Sequence, residues 1–533
     1  MRAVATARGT ATALWSRVWG GRPPGGWLSS FGVLIGLVMV LPVWYVVWRS
    51  AFAGAERWLR LLDDRVPSLL WSTLSLAGAV TVLAAIAGTL LAILVHRTDL
   101  PGRRVWRWLF AVPLAIPPYV GAMAYIVVFG PRGWLMRWTG STPLDMYSFA
   151  GALFVLTVFT YPYVYLVVGA AISRLGGTHE EAARSLGLGP VAALRRVTVP
   201  MLRPAIGAGA ILVALYVLSD FGAVAMVRYT TFTSAIYYQM GGFDTASAMV
   251  LSVVLIALTL IVLFAEGVTR RRMRVTGHTT SRPAEAFSLG RWKGLALALS
   301  AIVGAISVAV PVAVLAYWSW IGAGLGAFDD RFWRFAFNTL QVAGLAALLS
   351  MVAALPVVYL RSRHPSVVSS LIEKLAYAGY ALPGVIVAVG LIAFGVRHVP
   401  LLYGTAGMLA LAYVVRFAPQ AMQSAGASLA LVSPKVDEAA RIQGLSPGGV
   451  LARVIVPLTL PGTLAGGALV FVSAIKELPA TLLLRPIGFD TLAVRVWVES
   501  SEAVYHLAAP PALLIVAMSV LPLKLLLDRF GKD

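Results

Sequence analysis

The chain contains no cysteine, which excludes disulfides and thiolate metal sites and is silent on compartment. Charge is scarce. Asp, Glu, Lys and Arg make up 12% of its 533 residues, where an average soluble domain carries about 25%. Acids are scarcer than bases, 22 against 43. The six histidines are scattered and sit mostly near the ends of apolar segments, as interfacial residues do and metal ligands do not. No GxxxxGK[ST] phosphate loop occurs, so the chain lacks the usual means of hydrolysing ATP. HExxH and GxSxG are missing too. Nothing points to an enzyme, a bound cofactor or a metal site.

What is present is apolar. Hydrophobic residues make up 59% of the chain and mean hydropathy is +0.83, against roughly 45–50% apolar residues in soluble domains. This composition is that of an integral membrane protein surrounded by a lipid bilayer. On a soluble chain a net charge of +21 would suggest nucleic acid. Here the bases cluster between apolar runs, which is the positive-inside pattern, and no nucleic-acid partner is expected. The first 27 residues hold Arg2, Arg8, Arg17 and Arg22 and no acid, as a signal peptide's basic region does, and Ala51-Phe52-Ala53 faintly resembles a cleavage site. The apolar run Trp27–Trp48 exceeds the 7–15 residues of a signal core, however, and reads as a membrane helix that is retained.

A span needs about 20 apolar residues. Helices are expected near 28–49, 69–95, 105–129, 147–172, 205–227 and 247–267, then near 294–319, 337–360, 371–395, 404–429, 462–484 and 508–528. The organisation is therefore a tail (1–27), a first half (28–268, core about 67–267), a basic linker (269–293) and a second half (294–533, core about 334–528). With the N-terminus in the cytoplasm, every even-numbered helix is followed by a basic loop: Arg97, Arg103 and Arg104; 180–204; the linker; Arg361 and Arg363; 437–461; and a tail with Lys524, Arg529 and Lys532. Both termini then lie in the cytoplasm.

The two halves are copies. Residues 180–204 read EEAARSLGLGPVAALRRVTVPMLRP and residues 437–461 read DEAARIQGLSPGGVLARVIVPLTLP. At an offset of 257, Glu, Ala, Ala, Arg, Gly, Leu, Pro, Leu, Arg, Val, Val, Pro and Pro all recur. With residue usages of about 5–10% that is far beyond chance. Ser72-Thr73-Leu74 echoes Asn338-Thr339-Leu340, and Ala115-Ile116-Pro117 echoes Ala381-Leu382-Pro383, both at offset 266. The first half thus holds about nine extra residues between Pro117 and Glu181. Six helices per copy make the repeat parallel, with a translocation path expected between the halves. Within each repeated stretch, Thr178 and Glu181 have capping-box spacing, Ser433-Pro434 starts a helix, and Gly187 and Gly444 fit left-handed C-caps. A second short helix follows from Gly189-Pro190 or Ser446-Pro447, and Pro200 and Pro457 are expected to end or kink it.

Glu181-Ala182-Ala183, Gly187, Val197, Val199 and Pro200, with Glu438-Ala439-Ala440, Gly444, Val454, Val456 and Pro457, match the spacing of the EAA loop. In this the chain resembles the permeases of binding-protein-dependent ABC importers. The resemblance implies an all-α membrane fold, here two tandem type I importer modules fused in one chain with about twelve helices. It implies that both loops dock on a dimer of ABC ATPase subunits, which use the ATP, and that an extracytoplasmic binding protein delivers the solute. It also implies the cell membrane of a prokaryote as the location.

Charges inside membrane helices are functional candidates by default. Asp220 lies in LYVLSDFGAVAM and Lys476-Glu477 in VSAIKELPATLLLRP. Glu477 is the repeat counterpart of Asp220, and Pro479 breaks the helix just after it. These residues are candidates for the translocation path, and structural pairing is the competing reading. KELPATLLLRPIGFDTLAVRVW (476–497) and Asp220-Phe221-Gly222 resemble the iron(III) branch of the family. Iron(III) is therefore the expected solute, with thiamine, polyamine or another small solute as the alternative. A secondary transporter of the major-facilitator type would also have twelve helices in two parallel halves, but it has no need of two EAA loops.

Overall fold

The computed structural model describes residues 24, 26–175, 178–272, 286–380 and 382–530. The expected N-terminal tail and the middle of the expected linker lie almost wholly outside them. In chain order the helices that matter below are α1 (Gly26–Ser50), α2 (Val66–Arg97), α3 (Arg103–Leu109), α4 (Pro118–Phe129), α5 (Phe149–Arg174), α6 (Thr178–Ser185), α7 (Val199–Ser219), α8 (Gly222–Met226), α9 (Phe232–Gly241), α10 (Thr245–Arg272), α11 (Lys293–Gly304), α12 (Val310–Gly324), α13 (Asp330–Arg363), α14 (Val367–Tyr377), α15 (Gly384–His398), α16 (Ala406–Ala430), α17 (Pro434–Ile442), α18 (Val456–Ile475), α19 (Pro479–Leu484), α20 (Leu492–Ser501) and α21 (Tyr505–Phe530). Among the described residues there is no β-strand, only an isolated parallel bridge between Thr98 and Phe287. Nine described helices are long and apolar enough to cross a membrane, or ten if the pair 103–115 and 118–139, bent by 96°, counts as one span.

Four of the expected spans are broken, the last of them beside Pro479, where a break is expected. The expected 105–129 helix stops after α3 and a 3-10 turn (Val112–Ala115), then restarts at α4. Pro117 is extended there, at φ −59° and ψ 135°, and Pro118 is the first helical residue. A residue before proline is pushed out of the α region, so Pro-Pro divides the helix. The expected 371–395 helix divides at Pro383 (φ −55°, ψ 137°), its repeat counterpart. The expected 205–227 and 462–484 helices divide around Asp220 and Lys476–Leu478, giving α7/α8 and α18/α19. Hydropathy runs unbroken through all four sites, which is why only prolines and charges mark them.

Pro200 and Pro457 do not end a helix. Each sits two residues after the end of a π turn, Leu194–Thr198 or Leu451–Ile455, and the helix runs on into α7 or α18. The N–H of Val199 reaches back five residues to Leu194, and that of Val456 to Leu451. The widened turn makes room for a proline ring that would otherwise strike the carbonyl four residues back. The same device precedes Pro311, where Val310 bonds to Ala305.

The chain forms two compact units. One comprises residues 1–53 and 333–494. In it α1 lies along α14 and α15: a Cβ on Gly36 would meet Leu375 at 3.5 Å, one on Gly390 would meet the Pro42 backbone, and Tyr45 packs edge-on against Phe394 and His398, both at 5.5 Å. The other unit comprises residues 54–332 and 495–533. There α2, α5 and α7 pack closely: a Cβ on Gly209 would strike Val164, and one on Gly88 would strike Val164 and the backbone of Tyr161 and Tyr165. α12 packs on α4 and α21 through Ala124, Val127, Val314 and Trp318. The first unit therefore combines most of the second sequence half with the leading helix of the first, and the other combines most of the first half with the leading and last helices of the second.

Candidate functional site

The two EAA stretches form the same local structure. α6 begins at Thr178 as expected, with that side chain outside the described ones, and α17 begins at Pro434, where Ser433 Oγ accepts the Lys435 N–H at 3.4 Å. Both helices close with a Schellman pattern. Leu188 N–H donates to the Ala183 carbonyl at 3.1 Å and Gly187 N–H to Arg184 at 3.0 Å; Leu445 donates to Ala440 at 3.2 Å and Gly444 to Arg441 at 3.0 Å. Gly187 and Gly444 both take φ +89°, a conformation that side chains resist. Exposure alternates with the helix period. Glu181, Ala182, Glu438 and Ala439 face outward, whereas Ala183 and Ala440 are buried. Large apolar residues also stand exposed at the turns: Leu186 at 84% and Ile442 at 86%.

The acid before each EAA glutamate points inward and is ion-paired. Glu180 pairs with Arg97 at the end of α2, with both side chains under a tenth exposed, and also accepts from the Thr198 hydroxyl. Asp437 pairs with Arg363 at the end of α13 at 3.3 Å, again with both buried, and accepts from the Tyr359 hydroxyl at 2.9 Å. Arg97 and Arg363 are related by the 266 offset, and Glu180 and Asp437 by the 257 offset. So each EAA helix is fastened to the end of its module's α2 or α13 by an equivalent buried ion pair. A small cavity lined by Arg97, Ile172, Leu175, Glu180, Val197, Thr198 and Met201 lies at the first joint.

At the helix breaks, Asp220 and Glu477 are buried, 9% and 5% exposed. The Asp220 carboxylate accepts the N–H groups of Ala223 (3.0 Å) and Val224 (3.2 Å) and so caps α8. Glu477 accepts the Ala480 N–H at 3.1 Å at the start of α19, and its other oxygen pairs with Arg416 of α16. Thr233 donates to the Asp220 carbonyl at 2.6 Å and Thr481 to the Glu477 carbonyl at 2.7 Å. Pro479 is the first residue of α19, where a missing N–H does no harm. The echoed Thr73 and Thr339 have matching tasks: they accept the N–H of Phe232 (3.2 Å) and of Leu492 (2.9 Å), the first residues of α9 and α20.

A family model described as the binding-protein-dependent transport system inner membrane component matches residues 84–275 and again residues 346–532. The chain belongs to this family. It is an ABC transporter permease with two tandem modules, a multi-pass inner-membrane protein and a transport component, not an enzyme. Over 515 residues it is 34% identical to an Fe(3+)-transport system permease protein of Haemophilus influenzae, covering 95% of this chain and 98% of that one. It is 24% identical over 469 residues to a probable ABC transporter permease of Sinorhizobium fredii, 81% of this chain and 82% of that one. It is 28% identical over 250 residues to a sulfate transport system permease of Synechocystis, 45% of this chain and 90% of that one.

Two features of the permease escaped the sequence reading. Arg97 and Arg363 were legible only as loop charges, since their acid partners lie about 75–85 residues away; applying the two offsets to both ends of the pair would have found them. Arg416 was not singled out at all. Its repeat counterpart at offset 257 is Phe159, so the repeat itself gives no hint of the cation that Glu477 holds. Asp220 and Glu477 fall in different units, each with its own partners.

Proposed function

We propose that the chain is the permease of an ATP-driven importer for iron(III), delivered by an extracytoplasmic binding protein. The observation that carries the solute is the end-to-end likeness to the Fe(3+)-transport permease, against single-module likeness to sulfate permeases. In this reading α6 and α17 are the coupling helices, on the cytoplasmic side, and each receives one subunit of an ATPase dimer. Their matched form supports it: outward Glu181, Ala182, Glu438 and Ala439, the Gly187 and Gly444 caps, and π turns held open by Pro200 and Pro457. Leu186 and Ile442 supply apolar contact there. Reversing the charge of Glu181 or of Glu438 alone should weaken ATPase retention less than reversing both.

Asp220, Lys476, Glu477 and Pro479 mark the translocation path. A charge inside the membrane is costly enough to be kept for function by default, and broken backbone is tolerated only beside protein or a water-filled cavity. The acids act by holding α8 and α19 in place beside the path.

The test is uptake into proteoliposomes holding the permease, its ATPase and the binding protein encoded with them. Iron-loaded binding protein should drive ATP-dependent accumulation of radioactive iron that excess sulfate does not reduce. Sulfate accumulation without iron accumulation would replace the solute and leave the permease assignment intact.

A further inference from the structure

The two coupling joints are not built alike, and the difference lies in the linker. In the second module the Arg363–Asp437 pair is completed from within its own module: Arg363 also donates to the Val432 carbonyl at 2.7 Å, and Tyr359 supplies a second hydrogen bond to the acid. The first module has Ile93 where the second has Tyr359. Around Arg97, residues of its own module are joined by the far end of the linker. The Arg97 guanidinium lies over the Phe287 ring at 5.4 Å; its Nε, like that of Arg363, has no hydrogen-bond partner among the described residues. The backbone beside it is clamped: Phe287 N–H donates to the Arg97 carbonyl at 2.7 Å, and Asp99 N–H donates to the Phe287 carbonyl at 3.0 Å. The Asp99 carboxylate closes the clamp, accepting the Leu289 N–H at 2.8 Å and the Ser288 hydroxyl at 3.4 Å and pairing with Lys293 at 2.7 Å.

We infer that residues Phe287–Lys293 are a working part of the first coupling joint, with Phe287 and Asp99 as positioning residues that hold Arg97 against Glu180. This rests on the reading of α6 as an ATPase-docking helix. The physical reason is that a buried ion pair transmits displacement only while its geometry is held. Arg97 is a long side chain that needs several contacts to stay in one rotamer. The Phe287 face supplies a cation–π contact to the guanidinium, and the bridge fixes the Arg97 backbone. The Lys293 ammonium and the Leu289 N–H hold the Asp99 carboxyl below the usual carboxylate range, so the clamp stays charged at neutral pH. It follows that the covalent linker does more than join two modules. One ATPase contact depends on it and the other does not.

The chain lacks cysteine, so engineered thiols report cleanly. In the assembled complex, Phe287→Ala and the reduced double variant Asp99→Cys/Ser288→Cys should keep the ATPase bound. Uptake per ATP hydrolysed should fall by about fivefold, the low end of ordinary coupling energies. Phe287→Trp should retain parental coupling, and oxidising the double variant should restore it by closing the clamp covalently. Parental uptake per ATP in both Phe287→Ala and the reduced double variant, with the ATPase still bound, would overturn the inference. Failure of the docking reading looks different: Gly187→Val would then retain both ATPase binding and uptake.

Discussion

At the scale of single residues, the pairs Arg97–Glu180 and Arg363–Asp437 carry the sharpest expectation. Removing one member of a buried pair leaves an uncompensated charge and costs about 3–5 kcal/mol, whereas replacing both with apolar residues is often neutral. Arg363→Ala should therefore lower the melting temperature in detergent markedly, and Arg363→Met/Asp437→Leu should recover most of it. If the pair transmits motion, the double variant should still transport poorly; normal uptake would reduce the pair to packing. The acids at the helix breaks should separate in behaviour. Asp220→Asn keeps an oxygen to accept the Ala223 and Val224 N–H groups, so assembly should survive. Glu477→Gln strands the Arg416 charge and should lower yield as well as uptake. If uptake per assembled complex is unchanged in Asp220→Asn/Glu477→Gln, neither acid serves the path. The sequence showed these acids because charge in an apolar run is conspicuous. It could not show that Asp220 caps a helix while Glu477 also binds an arginine, because a partner is a matter of spatial proximity.

At the scale of elements, the caps and the widened turns make predictions of opposite kinds. A Cβ on Gly187 or Gly444 would meet nothing within 4 Å, so any penalty comes from the backbone alone. Gly444→Asn, which tolerates positive φ, should retain ATPase binding better than Gly444→Val, and both should insert normally. Equal retention of the ATPase by the two would show that the turn is not needed in this form. Pro457→Ala removes the reason for the π turn. The turn should rewind to α-helix and rotate what precedes it, so thermal stability should hold or rise while uptake falls; unchanged uptake would show that the register of α17 is free to vary. Membrane helices were legible because an unbroken run of about 20 apolar residues matches the thickness of a bilayer and little else. Apart from the break at Pro479, their interruptions were not, because Pro117, Asp220 and Pro383 lie inside runs whose mean hydropathy hardly changes. Yet Ala115-Ile116-Pro117 and Ala381-Leu382-Pro383 stand out as an echo in the sequence, and the echo is the break itself.

For the whole molecule, the duplication was the most legible feature, since an offset needs only the sequence. The missing phosphate loop carries its own expectation: the purified chain should hydrolyse no ATP, and hydrolysis should appear on adding the ATPase subunit. Hydrolysis by the chain alone, free of contaminating enzyme, would contradict it. What no offset could reveal is which helices pack together. α1 belongs with residues 333–494, which follow it by some 280 positions. That arrangement has a consequence in time. At roughly 5–20 residues per second, a ribosome needs some tens of seconds to reach Trp333 after finishing α1. Throughout that interval α1 has to wait in the bilayer without the neighbours it will end beside. It is suited to waiting: it carries no charge before Arg49, and the hydroxyls of Ser29 and Ser50 bond to its own carbonyls at Gly26 and Val47. A new charge in the middle of α1 would therefore do its damage during synthesis, before there is a folded protein to destabilise.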